Sequence, residues 1–236
     1  MSNEYQETNP GSKIIVALDY SNEEEATNFV NKVTPELCKL KIGKELFTTA
    51  GPQFVEKVVG KGFDVFLDLK FHDIPNTVMK ACHAAADLGV WMVNVHALGG
   101  KSMMQAAKEG VSHSPTKLIA VTILTSMGQE DLIEIGIQTD VKEQVLNLAT
   151  LANDSGLDGV VCSAKEVAML RESLGNDFLL VTPGIRPKGN ESSDQKRVMT
   201  PSDAINAGSS YLVIGRPITQ SDSPIKTLEA ILTEID

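Results

Sequence analysis

Residues 65–77 read VFLDLKFHDIPNT and bring two carboxylates and a lysine, Asp68, Lys70 and Asp73, within six positions. They close an apolar run, where charges are costly to bury unless they pair. The order negative, positive, negative suits a fixed array that keeps an ammonium charged and aimed. Such an array stabilises negative charge as it develops, and the ammonium can also deliver a proton. Asp68 and Asp73 could instead bind a divalent metal. Lys70 between them opposes that reading, because it already supplies positive charge.

A second chemistry sits near the C-terminal end. PGIR (183–186) and IGR (214–216) each place an arginine close behind a glycine. Glycine lets backbone approach phosphate oxygens, and arginine offers a planar fork that matches them. Gly215, Arg216 and Arg186 are therefore candidate anion ligands. Arg186 also opens RPKGNESSDQKRVMT, a polar stretch long enough to be a lid or binding loop. The histidines, at 72, 83, 96 and 113, form no tight metal motif. His96 ends an apolar run, where packing or support of the site is the expected role.

These groups need elements to hold them. Eight short runs rich in β-branched residues recur: 14–19, 38–43, 65–70, 91–97, 117–126, 158–163, 178–186 and 211–216. Stretches of helical periodicity separate them, among them 22–33, 77–88, 140–155 and 224–235. Ser21-Asn22 precedes three glutamates as a helix start, and Gly89 and Gly156 fall where helices should stop. Eight strand–helix units in this length predict a (β/α)8 TIM barrel of the α/β class, in a single domain. An open doubly wound sheet is the competing architecture, but no glycine-rich dinucleotide or P-loop motif follows the first strand.

In a barrel, catalytic groups gather at the C-terminal ends of the strands. Those ends carry Asp19, Lys41, Asp68 with Lys70, His96, Thr125, Ser163, Arg186 and Arg216. Alternation along a strand puts Phe66, Asp68 and Lys70 on one face and Val65, Leu67 and Leu69 on the other. Asp73 lies past the strand, and spacing does not say which site it joins. Lys39 and Lys41 share a parity, so periodicity does not choose between them.

Bulk composition narrows the function. Net charge is −10, a poor match to nucleic acid or a membrane surface. The chain is 42% hydrophobic but only 5% aromatic, as suits parallel strands under helices. Cys38, Cys82 and Cys162 are widely spaced, which fits a reducing cytoplasmic compartment. The polar start, residues 1–12, reads as a loosely ordered segment rather than a signal peptide, ahead of a catalytic barrel over 13–236.

FLDLKFHDIPNT resembles the signature of the orotidine 5'-phosphate decarboxylase family in its bacterial form. VALDY, LKIGKELF, WMVNVHA, AVTILTSM, LDGVVCSA, VTPGIRP, DQKRVMTP and YLVIGRPIT follow the same family in order. The resemblance covers about residues 13–233. It implies decarboxylation of orotidine 5'-phosphate to uridine 5'-phosphate (UMP) in pyrimidine synthesis, without a cofactor or a metal. It makes Lys70 the proton donor and Asp68 the carboxylate nearest the leaving group. It makes Asp19 and Lys41 ribose contacts, with Lys41 also in the charged array, and so favours Lys41 over Lys39. It implies a homodimer in which Asp73, with Thr77, enters the partner's site. It places Thr125 and Ser126 near the pyrimidine and ribose, and Arg186, Gln195, Gly215 and Arg216 around the phosphate and its lid. Two other readings remain at this level. One is a metal-dependent phosphosugar decarboxylase or hexulose phosphate synthase of the same barrel group. The other is a non-catalytic phosphate-binding barrel.

Overall fold

The computed structural model describes residues 12–187 and 199–235. Eight parallel strands close into a barrel in chain order: β1 (Ile14–Leu18), β2 (Lys39–Gly43), β3 (Val65–Phe71), β4 (Met92–His96), β5 (Lys117–Val121), β6 (Gly159–Val161), β7 (Leu179–Thr182) and β8 (Tyr211–Ile214). β8 returns to β1 through Ile14↔Leu212 and Val16↔Ile214, so the sheet has no edge. This is the (β/α)8 barrel expected from the alternation of patterns.

The helices are α1 (Glu23–Val30), α2 (Lys44–Val59), α3 (Pro75–Asp87), α4 (Gly100–Val111), α5 (Gln129–Glu134), α6 (Val141–Asp154), α7 (Val167–Leu174), α8 (Pro201–Asn206), α9 (Arg216–Thr219) and α10 (Pro224–Ile235). Local chemistry sets their ends. The Asn22 side chain accepts the Glu25 N–H at 2.9 Å, and the glutamates behind it suit a helix N-terminus. Pro75 opens α3, where its missing N–H costs nothing. Gly89 and Gly156, at φ 76 and 80, turn the chain back toward β4 and β6. No helix among the described residues is long and apolar enough to cross a membrane.

Strand alternation divides the core in two. Ile14, Val16, Leu40, Ile42, Val65 and Leu67 face outward under the helices. Ile15, Ala17, Phe66, Met92, Ile119 and Val213 fill the barrel. Lys39 sits among the lower inward residues. It pairs with Asp64, and its ammonium lies 4.7 Å from the Trp91 ring centroid. Lys41 is one inward position higher, toward the C-terminal mouth.

Several boundaries differ from the sequence reading. β5 stops at Val121, because a turn closed by Met127 N–H to Leu124 C=O follows; Thr125 and Ser126 lie in that turn. β7 stops at Thr182, because Pro183 has no N–H to extend the ladder and Gly184 has φ 80. Arg186 therefore sits on a loop, not at a strand end. Ser12 is buried rather than loose: its hydroxyl donates to Leu37 C=O at 2.7 Å. Residues 1–11, the rest of the segment expected to be loosely ordered, lie outside the described residues.

Candidate active site

The charges at the barrel mouth form a chain of alternating sign. Asp19 Oδ1 is 3.3 Å from Lys41 Nζ, Lys41 Nζ is 3.4 Å from Asp68 Oδ2, and Lys70 Nζ is 2.6 Å from Asp68 Oδ1. Exposure falls from 65% for the Asp19 side chain to 11% for Lys41 and Asp68, and rises again to 24% at Lys70. Burial alone would raise the Asp68 pKa. Lys41, Lys70 and the hydrogen bonds to the carboxylate outweigh it and hold Asp68 below the usual carboxylate range. Asp68 is thus a buried anion at neutral pH, with a cation on each oxygen.

Lys70 reaches this position through an irregular backbone. β3 and β4 pair regularly to Leu67↔Val93 and then slip, so that Phe71 lies opposite Val95. The slip is a bulge, a device that re-aims a side chain at the price of a strained residue. Lys70 carries the strain: at φ 54 it is the only non-glycine with positive φ among the described residues. Phe66 and Asp68 still face inward and Leu67 outward, as alternation predicts.

Asn94 on β4 holds the bulge, and sequence reasoning missed it. Its amide donates to Asp68 Oδ1 at 2.7 Å, and its carbonyl accepts the Lys70 backbone N–H, also at 2.7 Å. It is fully buried. A lone amide inside the apolar run MVNVH, on the parity of His96, was the available signal. His96 itself is half-buried near this network. Burial, His72, Lys44 and Lys70 push its pKa down to about 4, so its ring is neutral at physiological pH.

Two cavities meet at Asp19 and Lys41. One, of about 350 Å³, is lined by Asp68, Lys70, Lys44 and Leu124. The other, of about 560 Å³, is lined by Pro183, Gly184, Arg186, Gly215, Arg216 and Gln220. The first can hold a reacting centre against the Lys70 ammonium. The second offers two guanidinium groups and the backbone of Gly184 and Gly215 to an anion, at the loops after β7 and β8, where barrels commonly bind phosphate. Arg186 is buried, and its loop is pinned by its N–H to Met199 C=O at 3.0 Å.

The other expected site residues fall less neatly. Asp73 is exposed past β3, and its carboxylate accepts the Ile74 N–H at 2.6 Å. Among the described residues it makes no ion pair, so within one chain Lys70 has Asp68 but not Asp73 beside it. Thr77 is exposed in the first turn of α3. Leu124 lines the smaller cavity; Thr125 and Ser126 follow it in the turn and line neither cavity. Gln195 lies outside the described residues. Ser163 is buried and caps the turn after β6, where Glu166 accepts its N–H at 2.9 Å.

Fold and site together define an enzyme of the (β/α)8-barrel class with its charged groups at the C-terminal ends of the strands. The chain belongs to the orotidine 5'-phosphate decarboxylase / HUMPS family, whose model matches residues 12–231. It is 60% identical over 233 residues to the orotidine 5'-phosphate decarboxylase of Hydrogenovibrio crunogenus, covering 98% of each chain. Identity to the enzyme of that name from Pseudoalteromonas atlantica is 58% over 226 residues, covering 94% of this chain and 98% of the relative. The crystal structure of orotidine 5'-phosphate decarboxylase from Lactobacillus acidophilus superposes with a TM-score of 0.86 at 44% identity, covering 94% of this chain and 98% of that one.

Proposed function

We propose that this chain decarboxylates orotidine 5'-phosphate to UMP in pyrimidine biosynthesis, with Lys70 as the proton donor and no cofactor. One observation carries the reading: a buried Asp68–Lys70 pair faces one cavity while two arginines line the adjoining one. The pyrimidine fits the first and the phosphate the second, with the ribose between them at Asp19 and Lys41. Thr125 and Ser126, in the turn after Leu124, stand near the pyrimidine and ribose. Residues 13–236 act as one catalytic domain.

The chemistry follows from the charges. The bond from C6 to the carboxylate breaks, CO2 leaves, and the electron pair stays on C6 in the plane of the ring. No neighbouring carbonyl accepts that pair as an enolate. The Lys70 ammonium stabilises it by fixed charge and then gives its proton to C6. Asp68 pairs with the Lys70 ammonium and faces the departing carboxylate. Two charges about 4 Å apart interact by about 4 kcal/mol at an effective dielectric near 20. Enzymes lower barriers by roughly 8–23 kcal/mol, so repulsion from Asp68 is a minor share. Phosphate binding, remote from the bond that breaks, supplies more by fixing the ring against Lys70. A metal-dependent phosphosugar reaction fits less well, because both oxygens of Asp68 already face ammonium groups.

We further propose a cytoplasmic homodimer in which Asp73 and Thr77 complete the partner's site. The continuous exposure of residues 72–77 and the 66% exposure of Ile74 support an interface there. Three buried free cysteines suit a reducing compartment. The deciding experiment follows orotidylate by ultraviolet absorbance with EDTA present. Consumption at an undiminished rate is expected. Activity lost in EDTA and restored by magnesium, together with turnover of a sugar phosphate, would replace this reading with the phosphosugar one.

A further inference from the structure

The C-terminal ends of helices lie at the end of the barrel opposite the active-site mouth. There α3 and the segment after α4 bring His83, Asp87 and His113 together. His83 Nδ1 is 3.1 Å from Asp87 Oδ2, and His113 Nε2 is 3.0 Å from Asp87 Oδ1. The two imidazoles stack, with centroids 4.2 Å apart and planes 22° from parallel. One ligand atom from each of the three residues falls within 4.8 Å of the other two. They border a cleft of about 430 Å³ that Glu109 also lines. The cluster plays no part in the decarboxylation argued above.

We infer that His83, Asp87 and His113 form a binding site for a divalent transition-metal ion such as Zn2+, linking α3 to the end of α4. Two imidazole nitrogens and a carboxylate are a donor set that zinc takes readily. Ligands about 2.0–2.1 Å from a tetrahedral ion lie roughly 3.3 Å apart, close to the His–Asp separations already present. All three side chains are exposed, so small rotations bring the nitrogens onto one ion without disturbing the core. The i, i+4 spacing of His83 and Asp87 puts both on one helical face. His113 must come from the segment after α4, which makes the site a product of the fold. Solvent or Glu109 completes the coordination. Nitrogen ligands favour Zn2+ and Ni2+ over Mg2+.

The test uses the full-length untagged protein, stripped with chelator and dialysed. Zn2+ is titrated by calorimetry, and bound metal is counted by mass spectrometry after equilibrium dialysis. One saturable equivalent per chain is expected. Its binding should weaken at least about tenfold in His83→Ala and equally in His113→Ala, since α3 and the segment after α4 each supply a required ligand. Binding should also fade in acid, because a protonated imidazole has no lone pair to give. Decarboxylation stays at the wild-type rate in both variants, so this test stands or falls apart from the proposed reaction. Absence of saturable Zn2+ binding overturns the inference and leaves a plain histidine–carboxylate cluster. So does binding that survives either substitution, or binding of Mg2+ as tight as that of Zn2+.

Discussion

Replacing Asn94 with alanine should cripple catalysis although Asn94 lines neither cavity. Its side chain makes two bonds at once, one to the Asp68 carboxylate and one to the Lys70 backbone, and so ties the two residues together. Removing a hydrogen bond to a charged group costs about 1.5–3 kcal/mol. The Lys70 N–H also loses its acceptor, in a residue whose left-handed backbone is worth about 1–2 kcal/mol of strain. With that restraint gone, Lys70 relaxes away from the reacting position. If the bond energy is expressed in the transition state, kcat falls by about 10- to 150-fold. KM should change little, because the phosphate and ribose contacts remain. The Tm should fall too, by about 2–4 °C for each kcal/mol lost in a chain of this size. Asn94→Asp keeps the shape but sets a carboxylate against Asp68, so its loss of kcat should be larger. Steady-state kinetics on folded variants decide the matter. A lowered Tm with kcat intact in Asn94→Ala would show that the residue only fills the core, and the positioning argument would be wrong.

Other outcomes follow from the same geometry. Arg216→Ala should lower kcat/KM for orotidylate by at least about 10- to 150-fold, from a lost charge-assisted contact of about 1.5–3 kcal/mol. A truncated substrate without phosphate should be nearly unaffected, and added phosphite should rescue it in the wild type but not in the variant; equal losses on both substrates would refute the phosphate assignment. Mixing inactive Lys70→Ala and Asp73→Asn chains should restore activity, since a hybrid dimer contains one site free of both changes; a mixture that stays dead would place Asp73 in its own chain's site. Lys39→Ala should lower stability in urea, by removing the buried ammonium that pairs with Asp64 at the barrel floor, yet spare kcat per folded molecule. Lys41→Ala should abolish turnover instead, so matching phenotypes would undo the separation of the two lysines. His96 has its folded pKa depressed to about 4 from 6.5. The unfolded chain therefore binds more protons in that window, and stability should fall as pH drops from 6.5 toward 4. Urea unfolding across the window should show a shallower fall in His96→Gln; an unchanged slope would rule out His96 as the cause.

Much of this was legible in the residues themselves. Strand and helix periodicities are local, and eight alternations of them leave few topologies that bury every apolar face, so the barrel is the expected architecture; the pairing of β8 with β1 decides it over an open sheet. Asp68 and Lys70 are two residues apart, so the strand period places them on one face without any tertiary information. The glycine–arginine pairs after β7 and β8 are equally local signals, and the family resemblance rests on such contiguous runs. What periodicity left open was settled by barrel closure. Lys39 and Lys41 have one parity, and only the register against β1 and β3 sends one to the floor and the other to the mouth. The bulge that strains Lys70 is a mismatch between β3 and β4, a property of a pair of strands and invisible in either. Asn94 stands 26 residues from Asp68, and His113 stands 26 from Asp87, in elements joined only by the fold. Local patterns tell which face of an element is apolar; the distance between polar groups on two elements is set by strand register and helix packing, which only the assembled barrel determines.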